Sequence, residues 1–430
     1  MHVSLDSALG RQRRLNSVGE SVIQIAPNAA AAYSLRSLTG GDPKVLRVRR
    51  NSDNAEQDFT ASGVSSGALT SFVNEDVTIY QSDFSAGVNG FVQTSTTTAT
   101  GNQDGVSDSA GTSKDNVLKV VKAADAQGYI QRDQGVVAGL TYTVSGSFFA
   151  PSANTSVDGI MIKDGLSGSS LSNYPSGYLV SDGTWKDFSF SYTAAADGNQ
   201  RVQLGISSLG SNPNGSSTGS TGDIVYIADL KFVETISNGF VETWYDQSGN
   251  SNDAVQATAG SQPKIVSAGT LLNELDFDGT NDTFSIDFGA DLSQASSIFM
   301  VHQSDTTTAT SNEFFDSASG ANPRTLLDQS GTDYRIFSTG ASVSTGVAMT
   351  TDKSLIFALY NGTSSLFAKN GTPTSALNAG TTDINQNSVL GSSGARFYDG
   401  SMQEVIIYNS DQSSNRVALE TNINSHYSIF

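Results

Sequence analysis

The chain has 430 residues, of which 37% are apolar and only 15% are charged, and it contains no cysteine. Its 23 basic and 42 acidic residues give a formal charge of −19, which disfavours binding to nucleic acid or to an anionic membrane. Without cysteine there is no disulfide and no cysteine-ligated zinc, and the lack of an apolar stretch of about 18 residues predicts no transmembrane helix.

The first 28 residues stand apart because they carry a cluster of positive charge on an acidic chain. Arg11, Arg13 and Arg14 fall within four positions and are interleaved with apolar residues. No apolar run follows them, so we predict no secretory signal peptide. A charge run is usually a solvated segment, but a basic run on an acidic chain is also typical of an interaction tail. We predict that residues 1–28 form a docking arm that binds a larger assembly.

Residues 29–75 contain several short elements separated by turn-forming residues. The spacing of Tyr33, Leu35 and Leu38 predicts a short helix that ends at the following glycine pair. Residues 45–49 alternate apolar and basic side chains, as expected for a strand. Residues 66–73 predict another short helix.

Residues 240–253 combine a strand with a strong turn signal. The strand carries Trp244 and ends at the run DQSGNSND, whose side chains hydrogen-bond locally and tolerate positive φ. We expect Trp244 in the core and Asp246 at the start of the turn.

The segments YSLRSL, VLRVRRNSDNAEQDF, FVETWYDQSGNSNDAVQ and QPKIV together resemble the N-terminal segment of the α-L-arabinofuranosidase B catalytic-domain family. A similar segment precedes a concanavalin A-like (laminin G-like) sandwich in many phage and environmental bacterial proteins. The resemblance implies that Arg47, Arg49 and Arg50 lie near the Trp244–Asp246 strand end. We expect Asp246 to cap the turn and to pair with one of these arginines, because a carboxylate and a guanidinium fit together well.

The two halves of this motif are usually close in sequence in that family, whereas here about 160 residues separate them. We therefore predict a domain at 76–236 inserted into a concanavalin A-like sandwich formed by 29–75 and 237–430. Residues 140–149 alternate at period two, as in a strand with one buried face. Residues 79–91 look like the first strand of a carbohydrate-binding-module jelly roll. The later order of Gly-Thr-Trp at 183–185, an alternating strand and a final Tyr-Ile-x-Asp strand at 226–229 resembles the family-4/9-type modules.

The jelly-roll resemblance implies a structural Ca²⁺ between the first and last strands, held by Asp83 and Asp229. The alternative, that both are ordinary surface acids, has equal weight. Tyr129, Tyr174 and Tyr178 are the candidate glycan-binding residues, since aromatic rings serve as platforms for sugars and residues 174–178 are expected in a loop. Edge packing is the alternative role for each tyrosine.

The last part of the chain predicts an antiparallel meander of short strands followed by one helix. Val417, Leu419, Ile423 and Tyr427 are expected to line one face of that helix. The predicted fold is all-β: a concanavalin A-like β-sandwich with an inserted β-jelly-roll domain, a short N-terminal arm and a C-terminal helix.

No residue is assigned a catalytic role. Glycoside hydrolysis requires two carboxyl groups about 5–10 Å apart, and the acids near the motif are Asp58, Glu242, Asp246, Asp253, Asp276 and Asp278. None of them matches a catalytic position of the arabinofuranosidase family. A serine hydrolase triad would have to use His302, which has no nucleophile motif beside it.

These features predict a non-enzymatic phage virion protein of the tail-fibre, spike or capsid-decoration type. Its arm would bind other virion proteins, and its sandwiches would bind host or environmental glycans at the virion surface. The absence of cysteine fits synthesis in a reducing cytoplasm. We expect a homo-oligomer, with a trimer as one option, and no required cofactor beyond structural Ca²⁺. The alternatives are a carbohydrate-active hydrolase and an architectural virion protein that binds no sugar.

Overall fold

The computed structural model describes residues 20–93, 97–124, 128–166, 172–207, 220–307, 312–318, 323–339 and 341–430. Antiparallel strands dominate these residues, so the all-β prediction is confirmed. The chain divides into two compact units. Unit 1 combines the residues up to Val73 with Asn238–Phe430, and unit 2 is the continuous segment Asn74–Ser237. The expected boundaries were 75/76 and 236/237. Among the described residues, no helix has the length and apolar character needed to span a bilayer.

Unit 1 contains twenty strands among its described residues. They are β1 Ala29–Ser34, β2 Lys44–Arg50, β3 Glu56–Thr60, β17 Gly239–Trp244, β18 Ala254–Val255, β19 Lys264–Ser267, β20 Thr270–Asp278, β21 Phe284–Asp287, β22 Ser296–Ser304, β23 Glu313–Asp316, β24 Thr325–Ser330, β25 Asp333–Ser338, β26 Ala341–Ala348, β27 Ser354–Tyr360, β28 Leu366–Lys369, β29 Thr372–Pro373, β30 Asn387–Leu390, β31 Ser392–Ser393, β32 Arg396–Phe397 and β33 Asp399–Tyr408.

The helices of unit 1 are short except for the last. They are α1 Val22–Ile25, α2 Ala61–Ser65, α3 Ala68–Val73 and α4 Arg416–Tyr427, with 3₁₀ turns at Ala259–Ser261 and Gly362–Ser364.

Unit 2 consists of strands alone in its described part. They are β4 Val77–Ser82, β5 Val92–Gln93, β6 Thr97–Gln103, β7 Val106–Ser107, β8 Ser113–Lys114, β9 Val117–Lys122, β10 Gly128–Val136, β11 Thr141–Phe149, β12 Gly159–Leu166, β13 Ser172–Val180, β14 Lys186–Thr193, β15 Gly198–Ser207 and β16 Ile224–Ile236.

The predicted helix at residues 33–38 is wrong, because the chain from Ala29 to Ser34 is strand β1. All six residues of β1 are buried, and it pairs with β33 in the register Ala32↔Ile406. Alanine favours helices in isolation, but small side chains also fit a strand buried on both faces. Tertiary burial overrides the local preference here.

Residues 20–28 are part of the folded body, although we expected them in the docking arm. Ser21 caps α1 in a capping box with Gln24. Val22 is fully buried and packs in one cluster with Leu419 and Ile423 of α4, over the outer face of β22, β27 and β33. Arg11, Arg13 and Arg14 lie outside the described residues.

The face prediction for α4 holds for Leu419 and Ile423, which are buried, but not for Val417, which is 63% exposed. Val417 lies in the first turn of the helix, which begins at Arg416, and its side chain faces away from the buried cluster.

The motif strand lies at the centre of unit 1. β17 pairs with β2 along its length, from Gly239↔Arg50 to Trp244↔Leu46. This pairing brings together the two halves of the sequence motif. Trp244 is fully buried, with its ring 5.5 Å from that of Tyr33 and 6.4 Å from that of Phe284.

Unit 2 is a sandwich of two antiparallel sheets. One has the order β13-β12-β15-β10-β5 and the other β14-β11-β16-β9-β6, with β4 also paired to β16. Alternate residues of both sheets form one apolar core, for example Ile130 and Leu204 from the first sheet and Val144 and Phe232 from the second. The other alternate residues of the five-stranded sheet therefore lie on its outer face.

Candidate functional site

Asp246 caps the turn after β17, but it pairs with none of the three motif arginines, all of which lie in the described part of the chain. Its Oδ1 accepts hydrogen bonds from the backbone N–H of Ala32 and of Ser248, both at 2.8 Å. Its Oδ2 accepts from the Ser248 hydroxyl at 2.7 Å and from the Asn252 N–H at 3.1 Å. Backbone donors of the turn and of β1 thus take the places that we expected a guanidinium to fill.

The three motif arginines are distributed along β2. Arg47 lies opposite Thr243, near the expected strand end, and pairs with Glu56 at 2.9 Å. Arg49 and Arg50 lie opposite Phe240 and Gly239, at the other end of β17. The expectation that all three lie near Trp244 is therefore wrong for Arg49 and Arg50.

Arg50 forms a two-point ion pair with Asp53, with nitrogen-to-oxygen distances of 2.8 Å. This pair closes the turn after β2 and is structural.

The two acids proposed to hold Ca²⁺, Asp83 and Asp229, each lie one residue beyond the last pair of the β4–β16 ladder, Leu230↔Ser82. Asp229 is ion-paired with Lys114 at 2.6 Å, and Asp83 accepts hydrogen bonds from Ser85. A cation bound at Asp229 would have to displace the lysine ammonium. No group of three or more His, Asp or Glu suited to a metal occurs among the described residues. Calcium binding stays a prediction.

Asp58 and His302 hold structural positions, whereas Asp276 and Asp278 line one cleft of unit 1. Asp58 binds Lys44, Arg47 and Tyr245. His302 is fully buried between the hydroxyl groups of Tyr398 and Tyr334, and burial lowers its pKa to about 3. It is a neutral core residue at ordinary pH.

Tyr129 lies on the outer face of the five-stranded sheet of unit 2, because its neighbour Ile130 points into the core. The ring is half-buried. Across the ladder, Tyr129 is opposite Gly205, Gly205 is opposite position 161, and position 161 is opposite position 178. The glycine contributes no side chain to this row.

Tyr174 and Tyr178 lie in strand β13, so the expected loop is wrong. The register places position 178 in the same row as Tyr129. The side chains of residues 161–178 fall outside the described part of the structure.

Two polar pairs continue the outer face from Tyr129. Gln131 and Gln203 are cross-strand neighbours, with 3.5 Å between Nε2 of Gln203 and Oε1 of Gln131. Asp133 and Arg201 form the next pair, joined at 2.7 and 2.9 Å. The hydrogen bond to Asp133 raises the pKa of Arg201. Successive rows are about 6.8 Å apart along a strand. The outer face therefore carries the Tyr129 ring, the Gln131 amide and the Asp133–Arg201 ion pair in order, while the Gln203 side chain beneath them is only 7% exposed.

The sequence analysis found Tyr129 but missed the four polar residues beside it. The period-two alternation of residues 128–136 would have placed Gln131 and Asp133 on the face of Tyr129. Gln203 and Arg201 could not be found in this way, since they come from a strand about 70 residues away.

No protein-family model matches the chain, and no curated protein matches it. The resemblance to the α-L-arabinofuranosidase B family is therefore not supported by the family comparison. Parts of the chain are similar to solved structures. The CBM22-1 xylan-binding domain of Paenibacillus barcinonensis Xyn10C is 10% identical, with 37% of this chain and 95% of that chain covered and a TM-score of 0.28.

Two other solved structures give comparable values. A CBM4 structure is 19% identical, with 34% of this chain and 89% of that chain covered and a TM-score of 0.23. The Trypanosoma rangeli sialidase is 10% identical, with 73% of this chain and 61% of that chain covered and a TM-score of 0.33. Because these TM-scores are below 0.5, we base neither fold nor function on them.

Proposed function

We propose that the chain binds a glycan on the outer face of the five-stranded sheet of unit 2. The observation that carries this proposal is the order of partly exposed side chains along the face: Tyr129, then Gln131, then the Asp133–Arg201 ion pair. An aromatic ring can pack against the C–H face of a sugar. Amide, carboxylate and guanidinium groups offer both donors and acceptors to hydroxyl groups.

The linear order of these side chains along β10 favours an extended glycan over a single sugar. Three rows span about 14 Å along β10, which is longer than one sugar ring. Asp133 and Arg201 hold each other in place, so they bind hydroxyl groups without losing much side-chain freedom. The ion pair is also neutral overall, which suits an uncharged polysaccharide.

The test compares Tyr129→Ala with Tyr226→Ala in native gels that contain soluble xylan, β-glucan or galactan. Tyr226 is the matched control, because it is a half-buried tyrosine of the other sheet, stacked on Phe149. We expect at least one polysaccharide to retard the parent chain and the Tyr226 variant. Loss of the Tyr129 ring should weaken this binding about tenfold, as expected for about 1.4 kcal/mol. Unchanged retardation of the Tyr129 variant, or no retardation of the parent, would refute the proposal.

We also propose that the chain binds its glycan without hydrolysing it. The support is the arrangement of the acids near the motif, several of which form turns and ion pairs, as Asp246 and Asp58 do. The competing hypothesis is a hydrolase. Incubation with aryl-arabinofuranosides and with any bound polysaccharide tests it, since release of products that one acid replacement abolishes would establish an enzyme.

The biological setting that we propose is the surface of a phage virion, as a tail-fibre, spike or decoration protein. The support is the cysteine-free composition and the arginine cluster of residues 11–14 on an acidic chain. Mass spectrometry of salt-washed virus particles tests this proposal. Stoichiometric amounts of the chain are expected, and its absence from particles would refute the setting. If the chain is present in particles but binds no glycan, an architectural role is favoured.

A further inference from the structure

Unit 1 contains a cleft of about 500 Å³. It lies where the end of β2, the start of β17, the start of β19 and the end of β20 meet. This volume lies within the range of ordinary small-molecule sites, about 300–1,000 Å³. The residues that line it come from both halves of the sequence motif. The glycan face of unit 2 shares no residue with this cleft.

One wall of the cleft is held rigid by Arg49. Its guanidinium donates to Oε1 of Gln262 at 2.7 Å, to Oδ1 of Asn54 at 2.9 Å and to the carbonyl of Ala259 at 3.0 Å. It also lies over the ring of Phe240, 5.0 Å from the centroid. Arg49 is only 7% exposed, so it shapes the wall and orients the amide of Asn54.

The cleft is also lined by the buried carboxyl group of Asp282, which has one oxygen available for a further hydrogen bond. Asp282 is 6% exposed, and its Oδ2 accepts a hydrogen bond from the Asp278 N–H at 3.1 Å. No described residue donates a hydrogen bond to its Oδ1. Burial, with help from Asp278, raises the pKa of Asp282 to about 7. Near neutral pH this carboxyl group can therefore both donate and accept hydrogen bonds.

The charges in the cleft are close to balance. Arg49 and Lys264 oppose Asp276, Asp278 and Asp282, and burial raises the pKa of Asp276 as well. A phosphate or another strong anion would meet these carboxyl groups, and a polycation would meet the two basic side chains. A neutral ligand avoids the repulsion between like charges in both cases.

Asparagine side-chain amides complete the set of hydrogen-bonding partners. Asn51 and Asn238 line the cleft, and Oδ1 of Asn238 accepts the N–H of Ala268 at 2.8 Å, which fixes the direction of its NH₂ group. Together with Asp282 and Asn54, these groups present several directional donors and acceptors. The half-buried Phe240 ring supplies the apolar surface beside them.

We propose that this cleft is a second binding site of the chain and that it takes a neutral polyhydroxylated ligand, one or two sugar rings in size. Asp282 and the amides of Asn51, Asn54 and Asn238 bind the hydroxyl groups, and Phe240 packs against the C–H face. The proposal does not depend on the glycan face of unit 2, because it concerns other residues in the other unit.

Gly260 offers a way to block the cleft with little strain on the fold. It lines the cleft, and a Cβ atom built there meets no heavy atom within 4 Å. Gly260→Trp therefore adds an indole at a residue that lines the cleft, and the side chain starts in open space. Gly260→Ala is the matched control, since it adds one methyl group at the same position and leaves most of the volume open.

The experiment is saturation-transfer difference NMR on the full chain with three free sugars, L-arabinose, D-galactose and cellobiose. We expect millimolar binding of at least one sugar, as usual for a small ligand with few contacts. Gly260→Trp should abolish the signal, whereas Gly260→Ala should keep it. The Tyr129→Ala variant is included to exclude binding at the face of unit 2.

Each outcome decides the proposal. A signal lost only in Gly260→Trp supports the cleft as a sugar site, even if the polysaccharide test of unit 2 fails. A signal that survives Gly260→Trp, or that disappears in Tyr129→Ala, places the sugar elsewhere and overturns the proposal. No signal with any of the three sugars overturns it too. The circular-dichroism spectrum of Gly260→Trp should match the parent, and Asn51→Ala provides a second test by removing one hydroxyl-binding amide with little change in packing.

Discussion

Replacing Asp246 should cost unit 1 a large part of its stability, although the residue is polar and lies in a turn. Its carboxylate accepts four hydrogen bonds at 2.7–3.1 Å. One of them comes from Ala32, which is more than 200 positions away in the sequence. The carboxylate therefore joins the turn after β17 to β1, which in turn pairs with the last strand, β33.

The magnitude follows from the donors that lose their acceptor. Asp246→Ala leaves the backbone N–H groups of Ala32, Ser248 and Asn252 unpaired, while the Ser248 hydroxyl can rotate. A buried unpaired donor costs about 1–3 kcal/mol. These groups are partly buried, so about 1 kcal/mol each and about 3 kcal/mol in total are expected. Asp246→Asn keeps one oxygen but turns an NH₂ group toward the other donors, so about half of this loss is expected.

The assay is urea unfolding followed by tryptophan fluorescence. The chain has two tryptophans, Trp244 in unit 1 and Trp185 in unit 2. In a Trp185→Phe background, the emission of Trp244 reports on unit 1 alone. The control is Asp411→Ala. Asp411 caps an exposed turn by accepting the Ser413 N–H at 2.8 Å, and its other oxygen accepts from the Asn361 amide at the longer distance of 3.4 Å.

The order of stability should be parent, Asp411→Ala, Asp246→Asn and Asp246→Ala, from highest to lowest. A loss below about 1 kcal/mol for Asp246→Ala would show that water replaces the carboxylate at these donors. The argument from unpaired backbone groups would then be wrong. A change in the urea dependence itself would instead indicate an altered unfolded state.

Two other replacements test the packing and the charges of unit 1. The pKa of Asp282 is about 7 in the folded chain and about 4 when unfolded, so stability should fall by about 2–3 kcal/mol from pH 5 to pH 8. In urea unfolding followed by Trp244 emission, the Asp282→Asn variant should not lose this stability between pH 5 and pH 8. A loss of the same size in the variant would refute the assignment to Asp282. Gly391→Ala places a Cβ atom 2.5 Å from the Phe277 ring and should cost about 2–4 kcal/mol in thermal unfolding. Gly249→Ala is the control, because Gly249 also has a positive φ but a Cβ atom there meets no heavy atom within 4 Å. It should lose less stability than Gly391→Ala, and an equal loss would show that the clash with Phe277 is not the cause.

The strands of this protein could be predicted from sequence wherever one face is buried. The alternation in residues 140–149 gives β11, whose buried residues recur at every second position in its first half. The prediction failed at β1, where AAAAYS is buried throughout. Period-two alternation needs an exposed face, and a strand covered on both sides has none.

The long-range contacts could not be predicted in the same way. The sequence indicated that Asp246 starts a turn, but the choice between an arginine and backbone donors depends on where β1 lies. Likewise, Tyr129 could be identified as a candidate from its residue type. The pairing of Gln131 with Gln203 depends on the register between β10 and β15, and register is set by the whole sandwich.

Unit 1 is built from two separate segments of the chain, and this affects how it can fold during synthesis on the ribosome. Strand β1 pairs with β33, so the first strand must wait until nearly all of the chain has been synthesised. The residues from 74 to 237, which separate β3 from β17, alone take about 8–33 s at 5–20 residues per second. Unit 2 is continuous and can fold during that time, while β1 still lacks its partner β33 and β2 still lacks its partner β17. We therefore expect translation speed and chaperones to affect the yield of unit 1 more than that of unit 2.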